Sequence, residues 1–266
     1  MKQMKILVFV SLFVLSIIKI QAQTRLTTPE LSQAASVTQS IGLTKITIDY
    51  HRPLVKGRKI WGDLVPYNEV WRAGANKNTT IEFSDPVKIN GVDIPAGKYG
   101  FHTIPAENEW TLIFNKNNAA WGSYFYDQSL DALRIKVKPQ SAPFEEALTY
   151  YFSNPEDNSV NVVLHWEKLA IQFKVEVDVK ELVFKNMKQE LTNLPGFYWQ
   201  GYNQAAQFCL KNNIHLDEAL KLIETSINKN KNSTNLNVKA DLLEKTGNKT
   251  EADKLRAEAL QLQQKK

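Results

Sequence analysis

Short stretches in which apolar and polar residues alternate fill the chain from Ser36 to about Val183, as in Ile46, Ile48 and Tyr50. A period of two is typical of β-strands, because successive side chains point to opposite faces of a sheet. Strands with one mainly apolar face must pack against a second sheet. The pattern therefore predicts a mainly β domain over residues 36–183, an antiparallel β-sandwich or jelly roll of roughly nine to eleven strands. An open barrel is the alternative.

Two hairpins are predicted within this domain. Asn90-Gly91 separates two short apolar stretches and suits a two-residue turn, because both positions favour positive φ. Alternating residues in the stretches 160–166 and 171–177 predict a second, long closing hairpin. Its turn is expected at Glu167-Lys168.

Beyond Phe184 the apolar residues recur every three to four positions, which indicates helices. Ala219 and Ala252 lie 33 residues apart in similar acidic surroundings, close to the period of about 34 residues in tetratricopeptide repeats. Residues 184–266 are therefore predicted to form a short, repeat-like helical tail, with a plain helical hairpin as the alternative. Because about three such repeats are needed for independent stability, we expect the tail to dock on the β-domain or on a protein partner.

The first 22 residues are predicted to be a secretory signal peptide. Lys2 and Lys5 precede an apolar run over residues 6–18, and Ala22 offers a small residue for cleavage. The run is shorter than the roughly 20 residues that a spanning helix needs. We expect an exported protein, periplasmic or extracellular, with no stable membrane span after cleavage. An uncleaved interfacial anchor is the alternative.

The charge and the cysteine content exclude several classes of function. The formal net charge of +5 includes three lysines of residues 1–22, which hold no acidic residue, so the remaining chain carries only +2. Nucleic-acid binding needs a basic patch, and none is left, so no nucleic-acid partner is expected. A disulfide within the chain is impossible, because Cys209 is the only cysteine.

Sequence motifs of the common catalytic classes are missing. The chain holds no phosphate-binding loop, dinucleotide fingerprint, zinc-protease helix or hydrolase elbow. The sequence therefore predicts no cofactor and no metal site, and it leaves the catalytic residues of any enzyme undefined.

The most informative stretch is the connection over residues 51–79, which is 29 residues long, whereas connections in compact domains usually take about four to six. Its apolar residues need burial, so we expect an ordered loop with one helical turn at residues 60–65. Arg52, Arg58 and Arg72 lie among its aromatic residues. Guanidinium groups recognise carboxylates, phosphates and sugars, but they also lock loops by bonding to backbone carbonyls.

Seven residues form the candidate ligand-binding set. The histidines in it are candidates for a general base, and the amide side chain is a candidate for fixing the loop backbone. Of the arginines, we expect Arg52 to contact ligand and Arg72 to contribute to stability. At least four of the six tryptophans are expected in the core. The set is His51, Arg52, Arg58, Trp71, Arg72, Asn76 and His102.

The same loop contains the motifs Tyr50-His51-Arg52-Pro53, Lys56-Gly57-Arg58 and Ile60-Trp61-Gly62. Through them the chain resembles a bacterial secreted family known as domain of unknown function 2911. The resemblance covers about residues 34–178. It implies an exported bacterial β-domain, sometimes followed by helices, and it brings no established activity. Further motifs that carry it are Val70-Trp71-Arg72-Ala73-Gly74-Ala75-Asn76, Pro95-Ala96-Gly97-Lys98-Tyr99 and Trp121-Gly122.

Three functions are consistent with these observations. The favoured one is an exported, non-enzymatic protein that binds a small polar or anionic ligand through the 51–79 loop and uses its helical tail as a docking surface. The second is an enzyme in which His51 or His102 is a general base and Arg52 or Arg72 stabilises developing negative charge. The third is a purely structural envelope protein whose loop only fills the core.

Overall fold

The computed structural model describes residues 28–264, and the predicted signal peptide lies outside them. The chain divides into separate units between Leu31 and Ser32, and the description below concerns residues 32–264. Ten strands precede the helices. They are β1 (Gln33–Ile41), β2 (Thr44–Arg52), β3 (Thr79–Phe83), β4 (Val87–Ile89), β5 (Val92–Ile94), β6 (Gly97–Ile104), β7 (Trp110–Asn115), β8 (Asp131–Val137), β9 (Gln140–Glu156) and β10 (Ser159–Glu176).

The strands form two antiparallel sheets, which confirms the predicted mainly β architecture. The larger sheet has the order β1-β2-β3-β6-β7-β8, and the smaller has the order β5-β4-β10-β9. Their inner faces share one core, in which Phe101 and Phe114 of the larger sheet contact Phe173 of the smaller at ring-centroid distances of 5.8 and 5.6 Å. The fold is therefore a sandwich of two separate sheets and not an open barrel.

One of the two predicted hairpins is confirmed and the other is wrong. Asn90 and Gly91 form the β4–β5 turn with φ of +48° and +84°. Residues 160–176, in contrast, run through the single strand β10, which pairs with β9 across a turn at Asp157-Asn158. At Glu167 the register shifts and φ is +57°. An irregularity of this kind lets a polar pair interrupt the alternation without ending the strand.

The 51–79 connection is ordered and pairs with both sheets, through the isolated bridges Leu54–Ala147 and Trp71–Thr103. The helical turn predicted at residues 60–65 is wrong: these residues form turns, with Val65 N donating to Ile60 O and Gly62 N donating to Val65 O, each at 2.9 Å. A helix cannot continue through Gly62, because its φ is +78°.

Four tryptophans join this loop to both sheets. Three of them, Trp61, Trp110 and Trp166, are buried in the core as predicted, and Trp71 is partly buried against it. Trp61 of the loop packs edge-on against Trp110 of β7 at 4.9 Å, Trp166 of β10 at 5.8 Å and Trp71 at 5.9 Å. Trp71 stacks on Trp166 at 6.0 Å. Since edge-to-face and stacked indoles bury large apolar areas, this cluster fixes the loop on the sandwich.

Five α-helices follow the strands within the described residues. The first crosses the boundary predicted at residues 183 and 184, because its Val179 and Leu182 pack on the sandwich core while Phe184 is buried in the core of the tail. No helix of residues 28–264 is both long enough and apolar enough to span a membrane. The helices are α1 (Val179–Glu190), α2 (Trp199–Asn212), α3 (Leu216–Lys229), α4 (Ser233–Lys245) and α5 (Lys249–Gln264).

The helices of the tail pack in sequence, α2 against α3 and α4 against α5. The starts of α2 and α4, Trp199 and Ser233, lie 34 residues apart. This spacing agrees with a tetratricopeptide-like arrangement of two helix pairs, which stays a prediction.

Candidate functional site

Candidate functional residues gather on the outer face of the six-stranded sheet, the face that points away from the smaller sheet. Residues 116–130, between β7 and β8, fold over this face and are called the covering segment below. Asn118 Nδ2 donates to Lys98 O at 2.8 Å, and Ala120 O accepts from Asn78 N at 3.2 Å. Beneath the segment His102 is only 2% exposed. The covering segment thus turns an outer sheet face into a partly buried layer.

Gly100 of β6 allows the covering segment to approach so closely. A Cβ atom at this position would lie 2.3 Å from Asn117 O and 2.6 Å from Asn78 Nδ2. Both distances are far below van der Waals contact, so any side chain here would push a main-chain atom of the covering segment away from the sheet.

Replacing Gly100 with alanine is expected to lower the free energy of unfolding by about 1–3 kcal/mol, the usual cost of overpacking. Hydrogen exchange of the Asn78 amide should accelerate because its acceptor, Ala120 O, moves away. Exchange in the β4–β5 hairpin of the other sheet serves as the internal control and should stay unchanged. Native stability and native exchange at Asn78 would contradict the close packing.

A cleft of about 670 Å³ lies on this face between β1, β2 and the covering segment, and we call it the outer-face cleft. Burial alone would raise the pKa of Asp49 in its wall, but bonds from Lys98 Nζ at 2.9 Å and Ser36 Oγ at 2.8 Å lower the pKa overall. Asn78 buries its Nδ2 without a hydrogen-bond partner among the described residues. The polar lining consists of Ser36, Asp49, His51, Lys77, Asn78, Thr80, Lys98 and Asn118.

The structure separates the seven candidate residues into groups. His51 lines the outer-face cleft. Asn76 has a φ of +57° and donates from Nδ2 to Ser32 O at 3.2 Å, a main-chain bond of the kind expected from a residue that fixes the loop. Trp71 lies in the tryptophan cluster. The remaining four are three arginines and His102, and their surroundings differ sharply.

Two of the arginines bond to the protein itself. Arg52 donates from Nε to Leu148 O at 3.1 Å and from Nη2 to Thr149 Oγ1 at 2.8 Å, which ties the end of β2 to β9. Arg58 donates from Nε to Val55 O at 3.0 Å and from Nη2 to Leu54 O. These bonds favour the structural alternative for Arg52 and Arg58 over the ligand contact expected for Arg52.

Arg52→Met is expected to lower the free energy of unfolding by about 1–3 kcal/mol, because it keeps much of the apolar stem but leaves a part-buried carbonyl, Leu148 O, without its donor. Urea unfolding measures the change. Arg72→Met is the matched control and should not destabilise the protein, since no main-chain carbonyl in the described part of the chain accepts from the Arg72 side chain. Equal stability of the two variants would contradict this difference.

Arg72 is the arginine of this loop whose guanidinium has no hydrogen-bond or ion-pair partner among residues 28–264. Trp71 and Thr103 exchange backbone hydrogen bonds of 2.8 Å in an antiparallel bridge, so Arg72 falls opposite His102 on the outer face. Its Nε is buried, and no hydrogen bond or ion pair reaches the guanidinium from residues 28–264. Burial lowers the pKa of Arg72, an effect that nearby Tyr124 opposes. An unpaired, half-buried cation therefore sits under the covering segment.

His102 lies beside this cation as a neutral group. Its Nδ1 shares a hydrogen bond of 3.1 Å with Ser123 Oγ, and its ring packs on Tyr126 at 5.5 Å. Burial lowers the pKa of His102 to about 4, although Asp131 acts in the opposite direction. A base this weak is poorly matched to proton abstraction near pH 7. His102 therefore gives little support to the alternative in which the protein is an enzyme with a histidine as general base.

The covering segment also carries aromatic side chains that sequence reasoning did not place in the site. Within five residues, Trp121 is 51%, Tyr124 81% and Phe125 71% exposed. The signal that could have found them is the length of this second connection, together with aromatic residues that follow no strand or helix period. Among the described residues no cluster of histidine, cysteine and acidic side chains is suited to hold a metal ion.

The site thus belongs to a two-sheet β-sandwich whose outer face is covered by a connecting segment. This chain belongs to the family described as protein of unknown function (DUF2911), whose model matches residues 32–175. The match confirms the resemblance seen in the sequence and takes in the 51–79 loop and the covering segment. None of the curated proteins and none of the solved structures compared with the chain matches it.

Proposed function

We propose that the β-domain binds a small anionic ligand on the outer face of the six-stranded sheet, with Arg72 as the group that pairs with the anion. In this proposal the protein is exported to the periplasm or the cell exterior, and the helical tail is a docking surface for a protein partner. The observation that carries the binding function is the contrast between Arg72 and the two other arginines of the same loop.

A buried guanidinium without a partner is costly, because the charge and its donors lose water and gain nothing in return. Arg52 and Arg58 avoid this cost through bonds to main-chain carbonyls and a hydroxyl. A carboxylate or phosphate would supply the partner that Arg72 lacks, in the bidentate geometry that arginine favours.

The acidic group that acts on neighbouring His102, Asp131, is engaged elsewhere, which supports an external partner for Arg72. Asp131 accepts from Tyr126 OH and Asn115 Nδ2, each at 2.7 Å, and lies 3.4 Å from Arg134 Nη1. Lys77 and Lys98 of the outer-face cleft add positive charge on the same face. Asp49 and Glu82 offset part of it through ion pairs with Lys98 at 2.9 and 4.0 Å. The balance of charges on the outer face favours binding of an anion.

The experiment is a calorimetric titration of the purified protein with inorganic phosphate and with small carboxylates such as citrate and glucuronate. At least one of these anions should bind the unaltered protein and raise its melting temperature, by the linkage between binding and stability. Arg72→Met should weaken that binding by at least about tenfold, the effect of losing a charge-assisted pair worth about 1.5–3 kcal/mol.

Arg52→Met is the control for the titration, because it removes the same charge from the same loop but leaves the outer face intact. It should keep the affinity of the unaltered protein even though its stability falls. If no anion binds, or if Arg72→Met binds as tightly as the unaltered protein, the binding proposal is wrong and the structural alternative takes its place.

A further inference from the structure

The exposed aromatic residues of the covering segment indicate which class of anionic ligand binds to the outer face. The inference drawn from them rests on the function proposed above. Trp121, Tyr124 and Phe125 all expose half or more of their surface within five residues. Soluble proteins rarely leave large apolar side chains exposed side by side unless the surface meets a ligand or a partner. These three residues are called the aromatic rim below.

The rim converges with the unpaired cation at Gly122. The point that a Cβ of Gly122 would occupy lies 3.2 Å from two ring carbons of Tyr124 and 3.4 Å from Arg72 Nη1. The φ of Gly122 is +65°, a conformation that favours glycine. The Tyr124 ring and a cationic donor thus meet at Gly122, and any other residue at this position would crowd both of them.

Trp121 lies between this cation and the outer-face cleft. On one side its neighbour Ala120 lines the cleft, and Lys77, which also lines the cleft, forms a backbone bridge with Trp121. On the other side its neighbour Gly122 abuts Arg72. Two groups of polar side chains, one at Arg72 and one in the outer-face cleft, are therefore separated by the exposed indole of Trp121. A compact acid can contact only one of these groups at a time, whereas an extended chain of rings can contact both.

Sugar rings match this surface better than aromatic acids do. A pyranose ring has an apolar face that packs on an aromatic ring, while its hydroxyl groups bond to amides and ammonium groups or stay in water. Aromatic acids bind best in enclosed apolar pockets, and the rim is open to solvent. Arg72 adds the preference for a carboxylate.

We propose that the outer face binds an acidic oligosaccharide, with a carboxylate at Arg72, a sugar ring on Trp121 and Tyr124, and a further sugar in the outer-face cleft beside Lys77. The occupant is thus a chain of uronic-acid type and not a single small acid.

Isothermal titration of the full chain tests this with galacturonic acid, tetragalacturonic acid and the neutral cellotetraose. The acidic tetramer should bind at least about tenfold tighter than the acidic monomer, which corresponds to one added ring contact or polar contact of about 1.4 kcal/mol. It should also bind at least about tenfold tighter than the neutral tetramer, because only the acid pairs with Arg72.

Variants test which residue makes each of the proposed contacts with the saccharide. Trp121→Ala should weaken binding of the acidic tetramer about tenfold, and Lys77→Gln should weaken the tetramer but not the monomer. Arg72→Met should reduce the difference in affinity between the acidic and the neutral tetramers. Tyr198→Ala is the matched control, since Tyr198 of the helical tail is 59% exposed, and its affinities should equal those of the unaltered protein. Tyr124→Ala replaces Trp121→Ala if the latter lowers the melting temperature.

The possible failures can be told apart. If phosphate and galacturonic acid bind through Arg72 but the tetramer binds no tighter than the monomer, the oligosaccharide inference is overturned and the anion-binding function stands. If the rim variants bind the tetramer as the unaltered protein does, the rim serves another partner and the inference is again overturned. If none of the anions or saccharides binds, both proposals fail.

Discussion

Replacing Trp166 with alanine is expected to lower the free energy of unfolding by about 3–5 kcal/mol, the usual cost of removing a large aromatic side chain from a core. Trp166 is 1% exposed and contacts Trp61 at 5.8 Å and Trp71 at 6.0 Å. Its Nε1 also donates to Glu146 O at 3.3 Å. The resulting cavity would border both the 51–79 loop and β10. A shift of only one of these two segments could therefore not fill it. Arg72, directly after Trp71, should lose its fixed position.

Urea unfolding monitored by circular dichroism measures this loss. Trp121→Ala is the control, because the same truncation at a half-exposed rim position should change stability by no more than about 0.5 kcal/mol. A loss below about 1 kcal/mol for Trp166→Ala would contradict the role of the tryptophan cluster, since it would mean that the surrounding side chains refill the space.

Lowering the pH from about 6.5 to 4 is expected to reduce stability by about 3 kcal/mol through His102 alone. Its pKa in the folded protein is about 4, against an ordinary value of 6.5. Between these values the unfolded chain binds a proton that the folded protein rejects. The contribution of His102 is therefore fully present above pH 6.5 and is lost as the pH falls through 4. The cause is burial, which disfavours the imidazolium.

Melting temperatures measured across this range check the prediction, and His102→Gln provides the comparison. The variant lacks the titrating group, so its stability should change less between pH 6.5 and about pH 5, above the range in which most carboxylates titrate. Parallel pH profiles for the variant and the unaltered protein would contradict a buried, neutral His102.

Local signals in the sequence determined the architecture of this protein. A period of two predicted the antiparallel sandwich, and a period near 3.6 predicted the helical tail, because each reports which face of an element is buried. Asn90-Gly91 predicted its hairpin since both residues accept positive φ. These features depend on neighbours a few residues away, so the sequence contains them directly.

The same local reasoning failed where a distant segment decided the conformation. The polar pair Glu167-Lys168 suggested a turn, yet pairing with β9 keeps β10 continuous through an irregularity at Glu167. Residues 60–65 suggested a helical turn, yet Gly62 and the tryptophan cluster hold them in tight turns. In both cases tertiary contacts outweighed a weak local preference.

The candidate site shows most clearly what only the tertiary structure decided. Arg52, Arg58 and Arg72 look alike in the sequence, and their roles are set by partners elsewhere in the chain. The acceptor of Arg52 is Leu148 O, 96 residues away, whereas Arg72 comes to lie beneath Gly122 and Tyr124 without an acceptor among the described residues. Strand register and the path of the covering segment create this difference, and both arise from contacts between residues far apart in the sequence, which no local pattern records.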